Sequence, residues 1–260
     1  MGLPVEATLR SYLIGLATRL ARNMGYTILP SWRMEHRELV EHLRKLFATF
    51  DVDCVIDVGA NDGGYARLLR QEVGYSGLLL SFEPVAALAA RCRAAAAADP
   101  NWLVFDCAAG EEDQEAEIHV SAYSQLSSLL APATSLPTHM APLMASSHTE
   151  VVQVRRLDNV LPEIQRRFGF RRPYLKIDTQ GFDLAVLEGL GEFLPEMVAA
   201  QTELSFLPLY KGMPGWRTVI DTLERRQFAV SSMFGVNLDK SMRAIEFDCV
   251  LINERFAVNS

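Results

Sequence analysis

From residue 52 onward, short apolar runs alternate with longer amphipathic stretches. The apolar runs fall at 52–58, 77–82, 102–105, 174–177, 198–204, 228–233 and 247–252. Helical spacing fills 64–72, 86–98, 183–190 and 218–226. Runs this short and this apolar read as strands covered on both faces, and the stretches between them supply the covering helices. The rhythm predicts an α/β fold: a doubly wound, mostly parallel seven-stranded sheet with helices on both faces. The last two runs stand too close together for a crossover helix, so they are expected to pair antiparallel at one edge.

Two segments break the rhythm. In residues 1–50, Leu9, Tyr12, Leu13, Leu16 and Leu20 recur at helical spacing with Arg10, Arg19 and Arg22 among them, and a second helix is expected over 37–50. These residues are expected to form an N-terminal helical cap, open to peripheral membrane contact or to contact in a homo-oligomer. The apolar stretch at 12–17 falls short of the roughly 20 residues of a spanning helix. No small-residue cleavage site follows it. The other break lies within the expected main domain, 51–260. Residues 111–150 open with strand-like alternation at 116–121 and continue as a segment rich in Ser, Pro, Ala, Met and Thr. A long irregular insert of this kind is expected to act as a lid over the carboxyl ends of the strands.

Charge and cysteine usage narrow the function. The formal net charge of −7 argues against a broad nucleic-acid footprint, which needs a basic surface to displace counterions. Cys54, Cys92, Cys107 and Cys249 form no C-x-x-C pair, which points to reduced thiols in a cytoplasmic protein and away from a zinc site. The five histidines share no helical face and form no cluster with ligand spacing.

The chemistry-bearing residues sit at strand ends. Residues 55–64 read VIDVGANDGG, a buried strand, a glycine-containing turn and a helix start. Gly59 and Gly63 allow close approach of a ligand, and a helix start presents free N–H groups that suit a carboxylate. Glu83-Pro84 ends the second run, where an acidic residue can accept both hydroxyls of a ribose. Asp106, Cys107 and Ala108 follow the third run and would border an adenine ring. The glycine spacing G-x-x-x-G-G is not the G-x-G-x-x-G of a dinucleotide site, and no G-x-x-x-x-G-K-[ST] occurs. Asp178 and Glu203 end two further runs. Two carboxylates on neighbouring strand ends can orient and deprotonate a hydroxyl, or hold a divalent cation such as Mg²⁺.

These motifs resemble the FkbM family of S-adenosylmethionine-dependent methyltransferases. The matching residues are 55–64 (VIDVGANDGG), 81–84 (SFEP), 108–110 with the acidic stretch after them, Ser127-Ser128-Leu129, 154–158 (VRRLD), 175–181 (LKIDTQG), 187–189 (LEG) and 203–205 (ELS). The resemblance runs from about residue 40 to 252. It implies a class I methyltransferase (Rossmann-like) fold, S-adenosylmethionine as cofactor, and methylation of a hydroxyl on a sugar, glycolipid or natural-product acceptor. Many family members have Val-Glu where this chain has Thr179-Gln180, which removes one carboxylate from any acid–base scheme.

On this reading Asp57, Gly59, Ala60, Asn61 and Gly63 hold the amino-acid part of the cofactor. Glu83 and Pro84 border the ribose, and Asp106, Cys107 and Ala108 border the adenine. Asp178 and Glu203 serve the acceptor hydroxyl, and Lys176 is expected in a buried or edge ion pair. Two rivals share parts of the pattern: a nicotinamide-dependent oxidoreductase, and a non-catalytic scaffold on the same fold.

Overall fold

The computed structural model describes residues 37–136, 140–239 and 241–257. The first expected helix of the N-terminal cap lies outside the described residues. Contacts divide the chain into residues 1–41 and 42–260, and apart from residues 37–41 at the start of the first described helix the features below belong to the second unit.

Helix α1 (Arg37–Phe50) enters that unit and leads into strand β1 (Cys54–Val58). Helix α2 (Gly64–Leu68) follows and continues as one π-helical turn over Leu69–Val73, closed by Gly74. Then come β2 (Leu78–Phe82), α3 (Ala86–Ala96), β3 (Trp102–Phe105), the two-residue β4 (Ala108–Ala109) and β5 (Gln114–Ser121). A short helix α4 (Ala141–Met144) precedes β6 (Ser146–Arg155), α5 (Leu157–Phe168) and β7 (Pro173–Ile177). The chain ends with α6 (Asp183–Leu190), β8 (Ala199–Ser205), α7 (Trp216–Arg225), β9 (Phe228–Leu238) and β10 (Ala244–Asn253).

The main sheet has seven strands in the order β3-β2-β1-β7-β8-β10-β9. All neighbours are parallel except β10, which runs antiparallel to both β8 and β9. The expected edge pair is thus present, with β10 inserted beside β8. Strand order reverses between β1 and β7, and that switch point opens a crevice at the carboxyl ends of the strands.

Alternation divides the strand residues between two faces. Ile56, Val58, Leu80, Phe82, Leu175 and Ile177 join Leu157, Leu161, Val186, Leu190, Val219 and Leu223 from α5, α6 and α7 in one apolar core. Position 57 pairs in register with Ser81 on β2 and Lys176 on β7, and Lys176 pairs with Gln201 on β8. Register therefore lines up Ser81, Asp57, Lys176 and Gln201, all buried, in one row across four strands. This polar row lies on the opposite face to the apolar core, as the two-residue strand period requires.

The described residues of 111–150 are more ordered than their composition suggests. Strand β6 begins at Ser146, inside the stretch expected to be irregular, and pairs antiparallel along β5. With β4 they form a separate three-stranded sheet. The run SSHT at the head of β6 resembles a loop in composition, and only pairing with 118–121 extends it. Helix α5 was not foreseen either. It carries Pro162 and a strongly polar outer face.

Candidate active site

Asp57 is fully buried, and among the described residues its ion-pair partner is Lys176, with Nζ 3.4 Å from Oδ1. The same ammonium lies 3.1 Å from Asp178 Oδ2 and above the Tyr65 ring. Burial alone would lower the Lys176 pKa, but Asp178 and Asp57 outweigh it and hold the ammonium charged. Burial raises the Asp57 carboxyl against the pull of Lys176. Burial also pushes on Asp178, but Lys176 and the Gln180 amide win and keep it below its ordinary value.

The turn after β1 is built by close approach. A Cβ on Gly59 would lie 1.9 Å from the Asp178 carbonyl oxygen, and its φ is +82°. The N–H groups of the turn do not wait for a ligand. Gly59 and Ala60 donate to Phe82 O, Asn61 to Glu83 Oε2 at 2.7 Å, Asp62 to its neighbour Asn61 Oδ1, and Gly63 to Ala60 O. The N–H groups of the turn from Gly59 to Gly63 are thus committed, because the loop folds back on the end of β2. Glu83 also accepts from Val85 N at 2.9 Å through its other oxygen. Its carboxylate is fixed in orientation, and each oxygen has a second lone pair to offer. Burial raises its pKa to about 7 against these two N–H bonds. Pro84 follows it directly.

The third group is placed differently. Asp106 is exposed and pairs with Arg93 of α3. Cys107 is half-buried, and burial lifts its thiol pKa to about 11. Ala108 is buried at the start of β4. The end of β3 is joined to Glu83 through the bond from Glu83 N to Phe105 O.

The acceptor side gathers at β7 and β8. Gln180 donates through Nε2 to Asp178 Oδ1 at 2.9 Å and to Glu203 Oε2 at 2.6 Å. Burial and the charges of Asp178, Glu246 and Asp248 hold the Glu203 carboxyl well above its ordinary pKa. The two carboxyls are thus pushed in opposite directions, Asp178 down by Lys176 and Gln180 and Glu203 up by burial and its acidic neighbours. The Tyr210 hydroxyl lies 2.9 Å from Gln180 Oε1 and 3.0 Å from Leu126 O, with one proton to give. Residues 124–132 cross over these groups: Ser124 meets the Asn61 side chain, Ser128 Oγ donates to Gln180 O, and Pro132 bridges to Tyr210. Sequence reasoning missed Gln180 and Gln201 as organisers. Gln201 accepts from the hydroxyls of Tyr65 and Tyr174 and donates to Asp248. The one legible signal was a glutamine before Gly181 in a strand-end turn.

Among the described residues, the buried side-chain polar atoms without a hydrogen-bond partner are both oxygens of Asp57 and Thr179 Oγ1. All three lie at the ends of the neighbouring strands β1 and β7. Buried polar atoms left without a hydrogen bond cost about 1–3 kcal/mol each, which makes the ends of β1 and β7 the candidate ligand site. Among the described residues no group of three or more His, Cys, Asp or Glu is placed to hold a metal ion. The Gln180 amide occupies the space between Asp178 and Glu203, so the expectation of Mg²⁺ there finds no support.

The profile of the methyltransferase FkbM domain matches residues 57–230, two thirds of the chain. The chain belongs to the FkbM methyltransferase family. The matched span begins on Asp57 and takes in every strand end described above. Three solved structures are similar. The FkbM methyltransferase of Methylobacillus flagellatus KT is 14% identical over 76% of this chain and 44% of that one, with a TM-score of 0.46. This FkbM chain thus covers less than half the length of that relative. The magnesium protoporphyrin IX methyltransferase of Synechocystis PCC 6803, with S-adenosylmethionine bound, is 8% identical over 86% and 82% of the two chains (TM-score 0.45). Aeropyrum pernix fibrillarin, in complex with S-adenosylmethionine, is 10% identical over 77% and 66% (TM-score 0.42). No curated protein matches. The sheet order with its antiparallel penultimate strand is that of the class I methyltransferases. Among the described residues no helix is long and apolar enough to cross a membrane.

Proposed function

We propose that this FkbM chain transfers a methyl group from S-adenosylmethionine to a hydroxyl of a sugar, glycolipid or natural-product acceptor. The observation that carries the reading is the concentration of unmet buried polar atoms at the switch point, beside a carboxylate oriented at the end of β2. Glu83 offers two oriented acceptors, which suits a pair of ribose hydroxyls. Asp57 beneath the turn is a buried carboxylate paired with Lys176, and its negative charge suits a site for the cationic amino-acid end of the cofactor. The cofactor supplies an activated methyl on a sulfonium. The chain's own task is alignment: the acceptor oxygen must be held about 3 Å from that methyl, on the line of displacement. Asp178, about a third exposed, would hold the acceptor hydroxyl and take up its proton, while the methyl–sulfonium bond of the bound cofactor would break and leave a neutral thioether. The segment over the site, with Ser124, Ser128 and Tyr210, excludes water when it is seated. The domain arrangement proposed is a cap over 1–50 and a methyltransferase domain over 51–260 with its lid insert, working in the cytoplasm without nucleic acid.

Calorimetric titration with S-adenosylhomocysteine tests this. Saturable binding is expected in the wild type, with large loss in Glu83→Gln. Saturable binding of NADH in its place, with none of S-adenosylhomocysteine, would overturn the reading in favour of an oxidoreductase.

A further inference from the structure

Gln180 is the most constrained polar side chain at the end of β7. Both hydrogens of its Nε2 are used, one on Asp178 Oδ1 and one on Glu203 Oε2. Its Oε1 faces the Tyr210 hydroxyl. Its backbone oxygen accepts from Ser128 Oγ at 2.8 Å. Its φ of +54° and the +92° of Gly181 put two successive residues in the left-handed region, which is costly for a glutamine. The strained turn delivers the amide to the space between the two carboxyls.

The charges around that point are lopsided. Asp178 just after β7, Glu203 on β8, Glu246 and Asp248 on β10, and Asp57 on β1 all act on the region, and Lys176 supplies an ammonium against them. Lys176 serves Asp57 and Asp178 from one side. On the other side, the positive end between Asp178 and Glu203 is the Gln180 amide. A donor nitrogen that reaches two carboxylate oxygens at hydrogen-bond distances of 2.9 and 2.6 Å joins the same two groups that a divalent cation would join at shorter metal–oxygen distances. The amide supplies two N–H dipoles without a full charge.

We propose that Gln180 is a positioning residue that takes the place of a divalent cation: its amide ties Asp178 and Glu203 together and aims Asp178 at the acceptor. The word acceptor rests on the function proposed above; the tie itself does not. A consequence is specific to this chain. Exchanging the amide nitrogen for oxygen, as in Gln180→Glu, sets three carboxyls around one point and turns the tie into a cation seat.

The test uses the full chain and Mn²⁺ as probe, read by electron paramagnetic resonance. The wild type is expected to show no saturable Mn²⁺ binding at this site. Gln180→Glu is expected to gain one saturable Mn²⁺, and the double variant Gln180→Glu/Asp178→Asn to lose it. Failure of a folded Gln180→Glu to bind Mn²⁺ would overturn the proposal. So would saturable binding by the wild type that Asp178→Asn removes. A second measurement needs no variant at position 180. The Gln180 side-chain amide protons, followed by nuclear magnetic resonance in the wild type, are expected to be protected from exchange and undisturbed by added Mn²⁺. Rapidly exchanging protons, or their broadening as Mn²⁺ enters between the carboxyls, would overturn it even if Gln180→Glu did not fold. Neither readout involves a nucleoside, so titration of the same samples with S-adenosylhomocysteine reports the proposed function separately.

Discussion

Replacing Lys176 by methionine removes the one ammonium that faces Asp57 and Asp178 and leaves the volume of the side chain nearly unchanged. The distances are 3.4 and 3.1 Å. At the effective dielectric that suits protein sites, each pair is worth about 5 kcal/mol of attraction. The buried ammonium pays part of this back in desolvation. What remains on breaking such a pair from one side is about 3–5 kcal/mol, because a buried carboxylate is left unpaired. Asp57 keeps only its interaction with Ser81, whereas Asp178 retains the Gln180 amide. The loss is a large part of a typical stability of about 5–15 kcal/mol.

The sign with pH follows from the two aspartates. In the wild type the Asp178 carboxyl is held low, so its contribution is present above its unfolded value and is lost as pH falls. Asp57 is already raised by burial. In Lys176→Met both stand above their unfolded values, so the variant is least handicapped in acid and loses ground as pH rises toward neutrality. Urea denaturation at a series of pH values measures this. The midpoint is expected to fall by about 1 M or more at neutral pH and by much less near the unfolded aspartate value of about 4. Asp57→Asn added to Lys176→Met should restore part of the loss. A deficit below about 1 kcal/mol at neutral pH, or one that is flat across pH, would refute the reasoning.

Asp178→Asn should keep S-adenosylhomocysteine affinity within a few-fold by calorimetry, because the aspartate is assigned to the acceptor; loss of binding would move it to the cofactor side. Gly59→Ala should destabilise by several kcal/mol in urea, since its Cβ would lie 1.9 Å from a backbone oxygen at a φ of +82°; a near-neutral result would mean that the approach of β1 and β7 is looser than the structure has it. Glu83 is raised by burial to about 7, so its share of stability is complete below its unfolded value and declines as pH rises through 7. Glu83→Gln should flatten that decline in a pH series of denaturation curves, and an unaltered slope would show that burial does not govern Glu83. Ser128→Ala removes the bond to Gln180 O and should cost about 1 kcal/mol. Faster proteolysis within 121–136 would be the accompanying sign, and unchanged cleavage would show that Ser128 does not anchor the segment.

Legibility in the sequence followed the range of the interaction. The strands of the main sheet are short apolar runs, and their ends could be read because periodicity and turn residues are local. That is why Asp57, Glu83, Asp178 and Glu203 could be picked out as strand-end carboxylates. Strand β6 and helix α5 escaped because their stability comes from partners far along the chain: Ser146 pairs with Ser121, and Leu157 and Leu161 pack into the apolar core. The polar row Ser81, Asp57, Lys176 and Gln201 escaped for a stricter reason. It exists only once four strands are in register, and a slip of one residue would turn Lys176 into the apolar core. The same holds for Gln180. In the sequence it reads as the loss of a carboxylate. In the fold it is the group that lies between two others, and that role depends on β7 and β8 being neighbours. A residue's chemistry can be read from its type, but whether it acts alone or as a tie is decided by strand order.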